Sequence, residues 1–290
     1  VLNRFLGNVG ATWRHRLVAG AGLPAYRPVQ RHTYLTSGAV TASTESLPLT
    51  ALLFQNEVVS NAASLSAGRR AEAALTRARM LARLGRTADA ERDLEQAEQL
   101  LARFSRAALL ASAEVRTSSD PARAARDAGH AMALIAKSGE PMRLAEASLL
   151  ESRALAKLGR IDEARVAAER GIDAFERALG SIDPRDPIRI SALDPAWALY
   201  SDAARLHLVR GREDYAAAFA LLERGRARTL IDLRRVTPLS LADVQERLKS
   251  DEALLLLDQS SSSLVTWWIT SASVRTASAN ASVDQVEALV

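Results

Sequence analysis

Between residues 71 and 226 apolar side chains recur every three or four positions, the spacing that gathers one face of an α-helix. Two stretches align without a gap: AEAALTRARMLARLGRTADAERDLEQAEQL from 71 to 100 and AEASLLESRALAKLGRIDEARVAAERGIDA from 145 to 174. Each predicts a helix ending in Leu-Gly-Arg, a short turn carrying an acid, and a second helix with a small residue five positions after the glycine. Gly85 is followed by Ala90, Leu94 and Ala97, and Gly159 by Ala164, Ala168 and Gly171. The glycine suits a helix end that needs a left-handed residue. Small side chains at those offsets let two antiparallel helices cross closely.

The two glycines are 74 positions apart, so a further unit is expected between them. Residues 104–138 supply it, with Asp120-Pro121 opening a second helix and Ala124, Ala128 and Ala131 at the small positions. Another unit runs from Trp197 through Arg210-Gly211-Arg212 to Ala218, Leu222 and Gly225, its turn longer by two residues. Leu47 to Ser66 predicts a helix entered through Pro48, with a partner helix near Trp13 to Ala21, and the Pro-rich Ser181 to Pro187 stretch predicts a loop. The pattern resembles the tetratricopeptide repeat, a helix-turn-helix unit of about 34 residues. It departs from that repeat at the seventh position of the first helix, where Arg77 and Glu151 stand in place of a packed aliphatic. Since each unit exposes an apolar face that only a neighbour can bury, the units are expected to stack into a curved solenoid.

The character of the chain changes at Pro238. Leu241 to Ser250 keeps helical spacing, but Ala253 to Asp258 is a short apolar run, and Leu264 to Thr270 is dense in β-branched and aromatic residues. These predict two strands of a hairpin joined across Ser260 to Ser263, with Val274 to Ala279 as a short third strand and a capped helix starting at Ser282. A hairpin of this size does not hold itself together in water. It therefore opens a larger α/β domain or leans on the helices. The expected organisation is an N-terminal helical and loop segment over 1–46, helical repeats over 47–235 and a separate module over 236–290.

Composition narrows the chemistry. There is no cysteine, so disulfides, thiolate metal sites and a cysteine nucleophile within these residues are excluded. His15, His32, His130 and His207 are scattered without ligand spacing, so neither a metal nor a cofactor is expected. His207, between Leu206 and Leu208, reads as a packing or surface residue, and the serines 260–263 as a loop. No phosphate-binding glycine pattern occurs. Of the 38 basic residues only Lys137, Lys157 and Lys249 are lysine, but 34 acids are interleaved with them and the net charge is only +4. That balance predicts solvated, salt-bridged helix faces rather than a nucleic-acid surface. No apolar run reaches the roughly 18 residues a membrane span needs. Residue 1 is Val and no targeting pattern follows it, so a piece of a longer cytoplasmic protein is expected.

AFALLERGRARTLIDLRR from 218 to 235, LADVQERLKSDEALLLLDQSSSSLVTWWIT from 241 to 270 and the closing ASVDQVEALV together resemble the entry into a CHAT domain, the caspase-like peptidase module that follows tetratricopeptide arrays. The resemblance covers the repeats and about the first 50 residues of that module. It implies a mainly α fold, a tetratricopeptide-like α-solenoid followed by a small β-hairpin that begins an incomplete α/β, caspase-like domain. It further implies a parent cysteine endopeptidase with a His/Cys dyad, in which imidazole takes the thiol proton. Both dyad residues would fall beyond Val290, so no catalytic residue is assigned here. The alternative is a non-enzymatic helical-repeat scaffold. Counted from each repeat glycine, equivalent first-helix positions carry Arg79, Arg153 and Arg205, and one turn on Arg83, Lys157 and Val209. In tetratricopeptide arrays such positions face the concave groove, where a strip of guanidinium groups would clamp a carboxylate-bearing protein or peptide partner. Pairing of each arginine with nearby acids such as Glu72 and Glu146 is the other reading of the same residues.

Overall fold

The computed structural model describes residues 52, 55, 56, 58, 59, 66–100, 105–182, 187–209, 213–226, 237–259 and 264–279, with backbone alone at 187–196 and 259. The expected helix near Trp13 to Ala21, most of the one from Leu47 to Ser66, the turn at 210–212, residues 227–235, the loop 260–263 and the helix from Ser282 lie outside them. Among the described residues are nine helices: α1 (Ala67–Arg83), α2 (Thr87–Leu100), α3 (Arg106–Arg116), α4 (Pro121–Ile135), α5 (Pro141–Lys157), α6 (Ile161–Gly180), α7 (Pro187–Leu206), α8 (Tyr215–Arg226) and α9 (Leu241–Arg247). Three strands follow, β1 (Ala253–Gln259), β2 (Leu264–Thr270) and β3 (Val274–Ala279). The chain is thus mainly helical with a small antiparallel sheet at its C-terminal end. It divides into two compact units, residues 1–143 with 153–159, and residues 144–152 with 160–290.

In the first unit, local sequence sets where helices begin and end. After α1 the backbone turns left-handed at Gly85, with φ 72°. The Gly85 and Arg86 amides donate to the carbonyls of Ala82 and Leu81 at 3.0 and 2.9 Å, which satisfies helix-end acceptors that would otherwise be orphaned. Ser105 caps α3 by accepting from the Ala108 amide, and Asp120 caps α4 by accepting from the Arg123 amide, with Pro121 in the first turn. Ala90, Leu94 and Ala97 of α2 are wholly buried, as are Ala124, Ala128 and Ala131 of α4. α3 packs against α1, α2 and α4. It is accordingly buried nearly all round, from Ala108 to Val115, with Glu114 the least apolar member of that run.

The second unit repeats the device with larger neighbours. Ala164 and Ala168 of α6 are buried, and a Cβ added at Gly171 would lie 3.0 Å from Leu199 Cδ1 and 3.1 Å from Ser148 Cβ. In α8, Ala218 and Leu222 are buried, and a Cβ at Gly225 would come within 3.0 Å of Trp197 and Tyr200. α7 starts at Pro187, ten residues before the Trp197 at which the sequence places its unit. Proline fits the first turn of a helix, where its missing N–H costs nothing.

The sheet has the order β1-β2-β3, with Leu256 opposite Trp267 and Trp268 opposite both Leu255 and Arg275. Its inner face, with Leu256, Val265, Trp267 and Ile269, forms one core with Ala218, Phe219 and Leu222 of α8 and Leu241 of α9. Trp267 meets Tyr215 and Phe219 edge-on, each with ring centres 6.2 Å apart. α9 is fixed by a reciprocal cap between Ser240 and Asp243. The strands therefore lean on helices of their own unit. Their other face stays open, with Leu255, Leu257 and Trp268 exposed by 55%, 54% and 50%.

The glycine crossings can be tested by denaturant unfolding. Gly171→Val should destabilise the chain by about 1–3 kcal/mol through overpacking. Gly68→Ala, with open space around the added methyl, should be neutral or stabilise by roughly 0.5 kcal/mol.

Candidate functional site

The arginines that sequence spacing singles out lie on first helices. Arg79 and Arg83, one turn apart on α1, converge on the nearly buried Glu114 of α3. Arg79 Nε pairs with Oε2, and Arg83 Nε donates to Oε1 at 2.7 Å. Each arginine thus serves a different oxygen of one carboxylate through a charge-assisted contact. Burial pushes the Glu114 carboxyl up, but the charges of Arg79 and Arg83 and their hydrogen bonds outweigh it and hold the group at about 2.

Arg205, at the equivalent position of α7, also reaches a carboxylate in another element of its own unit. Its Nη2 donates to Asp258 Oδ2 of β1 at 3.1 Å. Asp258 is on the inner face of the sheet, 1% exposed, and Ser201 Oγ lies 2.9 Å from both of its oxygens. Arg153 and Lys157 sit one turn apart on α5, Arg153 half-buried and Lys157 exposed. The structure therefore brings Arg79 and Arg83 together on one acid and gives Arg205 a second, separate acid.

The two departures from the repeat pattern are also resolved. Arg77 forms a two-pronged pair with Asp93 of α2, at 2.5 and 2.6 Å, and its pKa is raised chiefly by that hydrogen bond. Glu151 pairs with Arg170 of α6, and burial raises its pKa against the opposing effect of that arginine. An ion pair of opposite polarity in each helix pair thus occupies the place of an aliphatic contact. A larger network surrounds Arg116 of α3, which is buried, donates to Ser112 Oγ and lies 3.4 Å from Glu98 and 3.6 Å from Glu91. Ser112 in turn donates to Asp127 of α4.

Sequence reasoning missed Glu114, Ser201 and Asp258, although two carried a signal. Asp258 has the same parity as Leu254 and Leu256 in a strand, so it had to face the core and find a cation there. Glu114 interrupts the run Ala-Leu-Leu-Ala-Ser-Ala, whose other members are all buried.

His207 follows α7. Arg165 Nη2 and Nε donate to the preceding carbonyl, Leu206 O, at 2.7 and 3.1 Å, and the Asp214 amide donates to His207 O at 2.8 Å. Burial first, then the charge of Arg165, lowers the imidazole pKa against the influence of Asp214 and Glu169. Among the described residues no group of three or more His, Asp or Glu is placed to hold a metal ion. None of their helices is long and apolar enough to cross a membrane. The arginines of these clusters hold carboxylates. No protein-family model matches the chain, and no curated protein matches it.

Two pH dependences follow. The folded-state pKa of Glu114 is below its ordinary 4.5, so its contribution is complete above that value and is lost as pH falls toward about 2. The loss should be on the order of 3 kcal/mol, and Glu114→Gln should flatten unfolding free energy measured across that range. For His207 the folded-state pKa is also depressed, which favours the neutral ring. Stability should decline as pH drops below the ordinary histidine value of 6.5, and denaturation midpoints of His207→Gln should show less of that decline.

Proposed function

We propose that this chain is a protein-binding segment of tetratricopeptide type that recruits partners or substrates for, or regulates, a CHAT-like cysteine peptidase whose catalytic His and Cys it does not contain. One observation carries the reading. Three second helices, α2, α4 and α6, bury a triplet of compact residues at successive offsets of four and three, α8 buries the first two members of the same triplet, Ala218 and Leu222, and a sheet whose outer face exposes Leu255, Leu257 and Trp268 comes after them. Helix pairs of that kind build interaction surfaces by stacking. β1 is apolar on both faces, as strands of a sheet covered on both sides are, which suits the opening of an α/β peptidase module. In this reading, helices cover the sheet's outer face in the whole enzyme.

The partner is a protein or peptide bearing carboxylates, met by Arg79, Arg83, Arg153 and Lys157 in the first unit and by Arg205 in the second. The pairing of Arg79 and Arg83 with Glu114 shows the kind of group that these arginines hold. The same pairing gives those arginines a structural share, so Arg79→Ala is expected to lower stability as well as binding.

Three measurements test the proposal. In this reading a coding sequence downstream of Val290 encodes a His and a Cys roughly a hundred residues on; further alanine-lined helix pairs in their place would favour the scaffold reading. The purified chain is expected to cleave no fluorogenic peptide. Lys157→Glu, an exposed charge reversal, should weaken capture of a glutamate-rich peptide several-fold in fluorescence anisotropy, with the helical melt unchanged. Equal capture by both forms would remove the acidic-partner part of the reading.

A further inference from the structure

We propose that Ser201, Arg205 and Asp258 form a releasable latch between α7 and the sheet, opened when a carboxylate of an acidic partner segment draws the Arg205 guanidinium away from Asp258. The inference rests on the acidic-partner reading above and adds what such a partner would do.

The latch is asymmetric. The Asp258 side chain is 2% exposed, whereas that of Arg205 is 20% exposed. Of the two charged groups, the arginine is the one open to solvent. Asp258 lies on the inner face of the sheet, opposite Val265 and two positions from Leu256, where a carboxylate is tolerated only while paired. Ser201 offers it one proton, and Arg205 is its cationic partner at 3.1 Å. Removal of Arg205 would leave a charge stranded beneath the sheet, so the cost would fall on β1 and β2.

Arg205 is open to exchange because Asp258 does not saturate it. Its Nε is buried without an acceptor, Nη1 is 3.8 Å from Asp202 one turn back, and Nη2 alone bonds Asp258 at 3.1 Å. Since Nε is buried, a carboxylate approaching from solvent would engage the guanidinium through Nη1 and Nη2, the latter then leaving Asp258. Asp202 opposes the approach, which makes a multiply charged segment a better opener than a single ion. The latch would loosen the sheet without freeing it, since Arg226 Nη2 still donates to Leu257 O at 2.9 Å and Gln245 Nε2 to Thr270 O at 3.0 Å. Arg79, at the same register position on α1, also holds a nearly buried acid, Glu114 of α3, but shares it with Arg83, so that acid would not be stranded by the loss of one arginine.

The test uses the full chain, a fluorescent polyglutamate peptide, anisotropy for binding and hydrogen-deuterium exchange for the sheet. The peptide should bind and should speed amide exchange in 253–259 and 264–270 by roughly ten-fold or more, leaving α1 to α4 unchanged. Asp258→Asn, which keeps the shape and the Ser201 partner, should exchange fast in the sheet without peptide and bind the peptide more tightly. Ser201→Ala, a milder change that retains both charges, should give an intermediate exchange rate. Binding with no change in sheet exchange, or Asp258→Asn exchanging at the unaltered rate, would overturn the latch and leave the acidic-partner reading intact. Absence of binding by every form would overturn both.

Discussion

Close approach of helices is the constraint from which the rest of this molecule follows. Ala90, Ala97, Ala124, Ala131 and Ala164 are fully buried, and Gly171 and Gly225 sit where a single added carbon would strike the facing helix. Helices that meet through such small residues bury little area per side chain, yet their backbones come near enough for a polar side chain of one to reach the other. The chain exploits that proximity with arginine. Its guanidinium reaches a carboxylate on the facing helix through Nε at Arg77, Arg79 and Arg83, a donor that lysine does not possess.

The inter-helix acids are therefore part of the architecture rather than surface ornament. Glu114, Asp93 and Asp258 are each largely withdrawn from water and each held by arginine. Such pairs add little over a well-packed apolar contact, but removing one member strands the other, so they enforce which element meets which. Arg77 and Glu151 illustrate the point. They replace an aliphatic at the same repeat position, and each is answered by the opposite charge on the partner helix.

Much of this was legible from residue order. The helix pairs around Gly85 and Gly159, the small triplets and the three strands follow from periodicity and turn chemistry, because those signals are local. Gly139, also left-handed with φ 68°, carried no repeat context and was not singled out. The start of α7 at Pro187 was hidden by a proline-rich stretch that reads equally as a loop or as a first helical turn. The partners of the arginines were not legible. Arg79 and Glu114 are 35 residues apart and Arg205 and Asp258 are 53 apart, separations set by packing between elements, which no spacing within one helix encodes.

Neighbouring tryptophans on opposite faces of one strand have a practical consequence. Trp267 is fully buried among aliphatic side chains and the rings of Tyr215 and Phe219, while Trp268 is half open to water beside Leu255 and Arg275. A single peptide step separates an indole in a dry surrounding from one in a wet surrounding. In variants that retain only one of the four tryptophans, emission from Trp267 reports whether the module has melted, and emission from Trp268 reports whether anything has come to cover the outer leucines, so folding and coverage can be followed separately without an added label.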